Sequence, residues 1–146
     1  MSITPYETRY GTVFHSSVCK DDFANVVTKT VKRRGPGGYA VTYRLQAPAI
    51  ASLRAVAKDI GGPFRQLPVK VTGTSRTCAY QASLYAKDPS RYASPNTTLH
   101  TQGLAIDVDM NFLHDHPEAK ASLLSHGWNQ SRPVDEPWHF SFRLKA

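Results

Sequence analysis

Two six-residue stretches alternate so strictly that they leave little choice of local fold. In Leu104-Ala105-Ile106-Asp107-Val108-Asp109 large apolar residues alternate with small or acidic ones, and in Trp138-His139-Phe140-Ser141-Phe142-Arg143 aromatic residues alternate with polar ones. A period of two marks a strand buried on one face. Leu104, Ile106 and Val108 are therefore expected in the core, with Ala105, Asp107 and Asp109 sharing the other face. Trp138, Phe140 and Phe142 give the second strand its apolar side, and His139, Ser141 and Arg143 its polar side. As antiparallel neighbours, the two strands would set Asp107 beside His139.

The flanks add more chemistry. His100 lies just upstream, separated from the first strand by Gly103, and would reach in from the turn. Glu136 precedes Pro137, which favours an extended or loop conformation there and leaves the glutamate free to sit beside the polar face. The collection is two imidazoles, one carboxylate and a spare glutamate. A hydrolytic zinc ion needs three N/O ligands, an open position for water and a nearby base. We read His100, Asp107 and His139 as ligands of one Zn²⁺ and Glu136 as the base, with small Ala105 leaving room for the ion. Asp109 shares the face of Asp107 and is an alternative ligand. Singly, each is an ordinary polar residue; their convergence on inferred site-facing positions carries the reading.

These residues resemble a known pattern. Ser-x-His-x-x-Gly-x-Ala-x-Asp followed by Glu-x-x-His is the paired motif of the D-Ala-D-Ala carboxypeptidase and L-alanyl-D-glutamate endopeptidase family of zinc peptidases. Here the first half reads Thr98-Leu99-His100-Thr101-Gln102-Gly103-Leu104-Ala105-Ile106-Asp107 and the second Glu136-Pro137-Trp138-His139. Upstream, Thr72 to Thr77 with Tyr80-Gln81 and Leu84-Tyr85 is similar to the family's Ser-Gly-Tyr-Arg-Ser segment and its following helix. The resemblance spans about residues 67–143. It implies the Hedgehog/DD-peptidase fold, the same three metal ligands, Glu136 as catalytic base, and Arg76 as a substrate contact near the scissile bond. Thr98 stands where the family has serine and keeps the hydroxyl; Ser75 stands where it usually has tyrosine, which bears on substrate contacts rather than on the metal. The implied activity is hydrolysis of peptidoglycan stem peptides or crosslinks. The Trp138-His139-Phe140 context favours a D-Ala-D-Ala-type bond over the L-alanyl-D-glutamate bond. A zinc-containing wall-binding module without catalysis is the alternative of another class, and the presence of both Glu136 and Arg76 counts against it.

Composition fits this expectation. At 146 residues and 40% hydrophobic, the chain suits a single α+β domain, residues 1–146, with a small antiparallel sheet flanked by helices and no membrane span. The net charge of +7 suits an anionic wall. Nucleic acid, the competing polyanion, ranks last: no cysteine lies near the ligands to close a structural zinc site, and no aromatic-basic stacking segment is apparent. A monomer is expected. The first ten residues hold no apolar core of a signal peptide. The expectation is a product made in the cytoplasm that acts on the wall after release, as a bacteriophage lysin does. Cys19 and Cys78 are expected as two buried free thiols.

The remaining elements are coarser. Residues 1–46 carry an expected hairpin, Val26–Val31 and Tyr39–Leu45 about the basic stretch Lys29 to Arg34, read as a solvated edge or a wall-docking element. Helices are expected over Pro48–Ile60, stopped by Gly61-Gly62, over Thr77–Lys87, and over Pro117–His126 with Asp115 or His116 as cap. Pro68–Thr72 reads as a short strand. His15, His114, His116 and His126 are assigned no role at the site.

Overall fold

The computed structural model describes residues 3–19, 26–32, 40–60, 71–73, 76–96 and 98–144. The chain opens with a hairpin, β1 (Ile3–Thr8) and β2 (Gly11–Ser16), that sequence reading had not placed. A second hairpin follows, β3 (Val26–Lys32) and β4 (Ala40–Gln46), in the expected position, with Lys32 opposite Ala40 at its far end. Its tip, residues 33–39, lies outside the described residues, as do Gly61-Gly62, Pro68–Lys70 and Ser75. Helix α1 (Ala47–Ile60), β5 (Val71–Gly73), α2 (Cys78–Lys87), a 3₁₀ turn (His100–Gln102), β6 (Ala105–Val108), α3 (Met110–Asp115), α4 (Pro117–Ser125), β7 (Trp128–Asn129) and β8 (His139–Phe142) complete the chain. Strands β5-β6-β8-β7 form one antiparallel sheet. With four α-helices among the described residues, the fold is a small α+β domain. None of those helices is long and apolar enough to cross a membrane.

The alternation in β6 and β8 behaves as read. Ile106, Val108, Phe140 and Phe142 are buried, and Asp107 pairs across the ladder with His139. Trp138 departs from the pattern. It precedes the strand, is half-buried and faces the cleft described below, because Glu136-Pro137 turns the chain and β8 begins only at His139. Asp109 departs too. Its side chain accepts from the Phe112 N–H and caps α3, a short helix that the sequence reading had not assigned. His116 is the N-cap position of α4 but makes no side-chain capping bond, and Asp115, the other expected cap, ends α3. Helix α1 buries Ala49, Leu53 and Val56, whereas Ile50, Ala57 and Ile60 only edge onto the core, so its buried stripe is rotated from the expected one.

The core joins these layers. Trp128 stacks edge-on against Phe142 at 5.1 Å, and its indole N–H donates to Ser52 of α1. The Ser52 hydroxyl donates in turn to the His126 carbonyl. Gly127 has φ +100°, and a Cβ there would meet the Phe142 ring at 3.2 Å, so both backbone and packing require glycine. Opposite, Tyr10 in the first hairpin's turn bonds His126, whose other ring nitrogen meets Asp59 at the end of α1. Burial raises the Tyr10 phenol above its ordinary value, with Arg9 opposing and Asp59 assisting.

Two buried glutamines attach the first hairpin to the rest. Gln46 accepts from the Phe14 N–H and donates to the Phe14 carbonyl, each at 2.7–2.8 Å, while Gln102 does the same to Ser16 at 2.8 Å. A primary amide carries an acceptor and donors side by side, so each side chain imitates a neighbouring strand along the free edge of β2. Gln46 also donates to the Gln102 carbonyl, linking the two. The Ser16 groups and the Gln102 carbonyl they satisfy would otherwise be orphans in the interior.

The cysteines correct an expectation. Cys19 and Cys78 form a disulfide, their Cα atoms 5.9 Å apart although 59 residues separate them in sequence. The free-thiol reading rested on compartment and spacing; folding the segment after β2 against the start of α2 brings the pair together. Gln102→Leu would strand the buried N–H and C=O of Ser16, and is expected to cost about 2–4 kcal/mol in urea unfolding; a loss below about 1 kcal/mol would mean the amide carries no such role. Cys19→Ser should cost about 2–4 kcal/mol in the same assay, the entropy of reopening a long loop.

Candidate metal centre

His100, Asp107 and His139 arrive by three local routes. His100 opens the 3₁₀ turn, which ends at Gly103 with φ +69°, a left-handed residue that redirects the chain into β6. The Leu104 N–H donates back to the Leu99 carbonyl, closing the turn. Asp107 projects from β6, and His139 projects from the register-paired position of β8. Ala105 and Ser141 pair two residues along on the same face.

The three ligand atoms form a nearly equilateral triangle. His100 Nε2 lies 3.2 Å from Asp107 Oδ1 and 3.2 Å from His139 Nδ1, and the third edge is 3.3 Å. A tetrahedral ion with bonds of about 2.0–2.1 Å holds its ligands about 3.3 Å apart. The donor set fits such an ion without rearrangement, and it is a group among the described residues able to hold a metal. His139 Nε2 lies 3.1 Å from the Ser141 hydroxyl. With the serine accepting, the proton sits on Nε2 and the Nδ1 lone pair faces the triangle, the tautomer being assigned from this network.

The electrostatics agree. Burial opposes ionisation of Asp107, but hydrogen bonds from His100 and His139 when the facing nitrogens carry protons, and the charges of His100 and Arg76, outweigh it and hold the carboxyl well below the usual carboxylate range; an ion at the triangle would displace those protons and take over their role. Its two oxygens divide the work: Oδ1 faces the imidazoles, and Oδ2 accepts from Arg76 Nη2 at 3.3 Å. Arg76 Nη1 donates to the buried Gln81 of α2 at 3.1 Å, and the Arg76 backbone N–H donates to the His100 carbonyl. Arg76 thus braces Asp107 and the His100 turn together.

Arg76, His100, Asp107, Glu136 and His139 line one open cleft of about 850 Å³, and Asp109 does not. Glu136 stands on its wall, half-buried, its backbone carbonyl accepting from His139 N–H and its carboxylate 3.4 Å from Arg132. Asp109 is committed to its helix cap, and Asp107 is the carboxylate that meets the two imidazoles. Sequence reading assigned no role to four residues of the cleft. Ser141 shares the period-two face of His139, and that period was the signal for it. Tyr6, from the first hairpin, and the Arg91-Tyr92 pair reach the cleft only through the fold and left no such signal. His15, His114, His116 and His126 stay outside this cluster.

Comparison with family models, with curated proteins and with solved structures returned no match to this chain, so the family resemblance rests on the motifs themselves. His139→Ala and Asp107→Ala should each lower zinc affinity at least about 100-fold by chelator competition, and Ser141→Ala about 10- to 100-fold. Asp109→Ala should leave zinc affinity unchanged while costing about 1 kcal/mol of stability, the value of an N-cap. Zinc binding that depends on Asp109 rather than Asp107 would refute the assignment.

Proposed function

We propose that this chain is a zinc peptidase acting on peptidoglycan stem peptides or crosslinks, cutting a D-Ala-D-Ala-type bond, with the Hedgehog/DD-peptidase fold that its motifs imply. The observation that carries the reading is the convergence of His100 Nε2, Asp107 Oδ1 and His139 Nδ1 inside a cleft that Glu136 also borders. One acid and two neutral imidazoles suit a single divalent ion, and the open cleft leaves access for water and substrate.

Zinc held by His100, Asp107 and His139 would supply Lewis acidity, bringing the pKa of a bound water down toward about 7 and polarising a carbonyl oxygen. The chain's own residues do the rest. Glu136 takes a proton from the attacking water on its carboxylate and returns it to the departing amine. The Arg132 guanidinium and the turn that bonds Glu136 to His139 hold that carboxylate at the cleft wall. Arg76 keeps Asp107 ionised and oriented, and its remaining N–H groups face the cleft where negative charge develops on the carbonyl oxygen. Ser141 holds the His139 ring in one tautomer. Trp138 offers an apolar wall beside the polar set, suited to the side chain of a small residue such as alanine.

The positive charge of the chain and the anionic wall suit each other. Mass spectrometry of purified muropeptides should show loss of a terminal D-Ala or scission at a D-Ala crosslink, abolished by EDTA and restored by zinc. A cut between L-Ala and D-Glu would reassign the bond and keep the chemistry. Glu136→Gln should retain zinc and lose about 10²–10⁴ of the rate; full activity in that variant would overturn the role of Glu136. Absence of any metal-dependent cleavage would move the reading to a zinc-containing wall-binding module.

A further inference from the structure

Four arginines border the cleft: Arg76, Arg91, Arg132 and Arg143. Three of them are committed to the protein. Arg76 divides its fork between Gln81 and Asp107, Arg132 pairs with Asp135 and Glu136, and Arg143 donates to the carbonyls of Leu124 and Trp128. Arg91 differs. Among the described residues its guanidinium forms no ion pair with a carboxylate, and it lies over the Tyr92 ring with Cζ 5.4 Å from the centroid. The nearest acid in sequence, Asp88, gives Oδ1 to the Ser90 backbone and hydroxyl and acts on Arg91 through space alone.

The segment beneath Arg91 is held at both ends. The N–H groups of Arg91 and Tyr92 donate to the Asp88 carbonyl, closing the turn after α2. Gln81 donates to the Ala93 carbonyl at 2.8 Å, the same side chain that accepts from Arg76. Thr101, beside His100, donates to the Pro95 carbonyl at 3.1 Å. The loop is therefore fixed to the helix that positions Arg76 and to the turn that presents His100. A guanidinium stacked on a ring over such a base loses little freedom when it binds.

We propose that Arg91, backed by Tyr92, is the anchor for a carboxylate of the substrate and a specificity determinant of the cleft. The inference deepens the peptidase reading above and rests on it. Asp107 offsets Arg76, Asp135 and Glu136 offset Arg132, and Arg143 faces no carboxylate but has its guanidinium held by the Leu124 and Trp128 carbonyls, so among the described residues Arg91 is the cleft arginine whose guanidinium has neither a counter-ion nor a protein acceptor. A carboxylate meets the planar fork of arginine with two parallel hydrogen bonds, whereas an amide offers a single neutral acceptor. Stem peptides bear such a group at D-Glu and at the terminal D-Ala, and the anchor would select for one of them.

The test uses three peptides as probes: L-Ala-γ-D-Glu-L-Lys-D-Ala-D-Ala, the same peptide with the D-Glu carboxylate amidated, and the same peptide with the C-terminus amidated. Hydrolysis is measured with the zinc-loaded wild type, Arg91→Gln and Arg91→Lys. One of the two amidations should raise the wild-type KM about 10- to 100-fold, the worth of a charge-assisted hydrogen bond. Arg91→Gln should raise KM for the acid peptide by a similar factor and add nothing further for that amide, with Arg91→Lys intermediate. An Arg91→Gln effect of equal size on all three peptides, or none on KM, overturns the anchor while leaving the peptidase reading intact. Binding of the same peptides to Glu136→Gln and to Glu136→Gln/Arg91→Gln, followed by calorimetry, needs no turnover. If the wild type cleaves no peptide the peptidase reading falls, and the anchor is then overturned when the two proteins discriminate acid from amide equally.

Discussion

Three electron-rich atoms standing 3.2–3.3 Å from one another impose the constraint around which this molecule is arranged. Lone pairs that close repel unless a proton or a cation lies between them. The fold holds them there by independent means: a cross-strand register for Asp107 and His139, and a turn closed by left-handed Gly103 for His100. A neighbouring arginine then stabilises the carboxylate from its far side. A site assembled from a ladder and a backbone turn is stiffer than one carried on loops alone, which suits an ion that demands a fixed geometry.

That stiffness extends outward through amide side chains. Gln102, two residues beyond His100, grips the edge of β2; Gln46 grips the same edge and the Gln102 carbonyl. Gln81 joins Arg76 to the loop that carries Arg91. Glutamine suits these posts because it is neutral, so its burial costs little once both ends of the amide are bonded. The first hairpin, tied down in this way and by the disulfide to α2, supplies Tyr6 to one wall of the cleft. The N-terminal segment is thus part of the site rather than an appendage to it.

How much could be read in advance follows from the range of each interaction. Asp107 and His139 were legible because a strand's two faces are written in alternate residues. His100 and Glu136 were legible because their spacing to those strands repeats a known motif. Asp109 misled, since the alternation runs through it, yet its carboxylate is captured by an N–H of the following helix. Trp138 misled in the same way: the pattern includes it, but the turn at Pro137 starts the strand one residue later. The disulfide was missed because no local rule joins positions 59 residues apart.

The sequence by itself determined the chemistry available and most of its local presentation: which residues could ligate, which strands would bear them, and that the chain would fold as α with antiparallel β. Periodicity and turn residues act over a few positions, so they survive in a linear reading. Only the tertiary structure decided which carboxylate joins the imidazoles, which arginine braces it, and which arginine is left facing the cleft. Those outcomes depend on competition among partners distant in sequence, where each donor goes to the acceptor that packing places within about 3 Å.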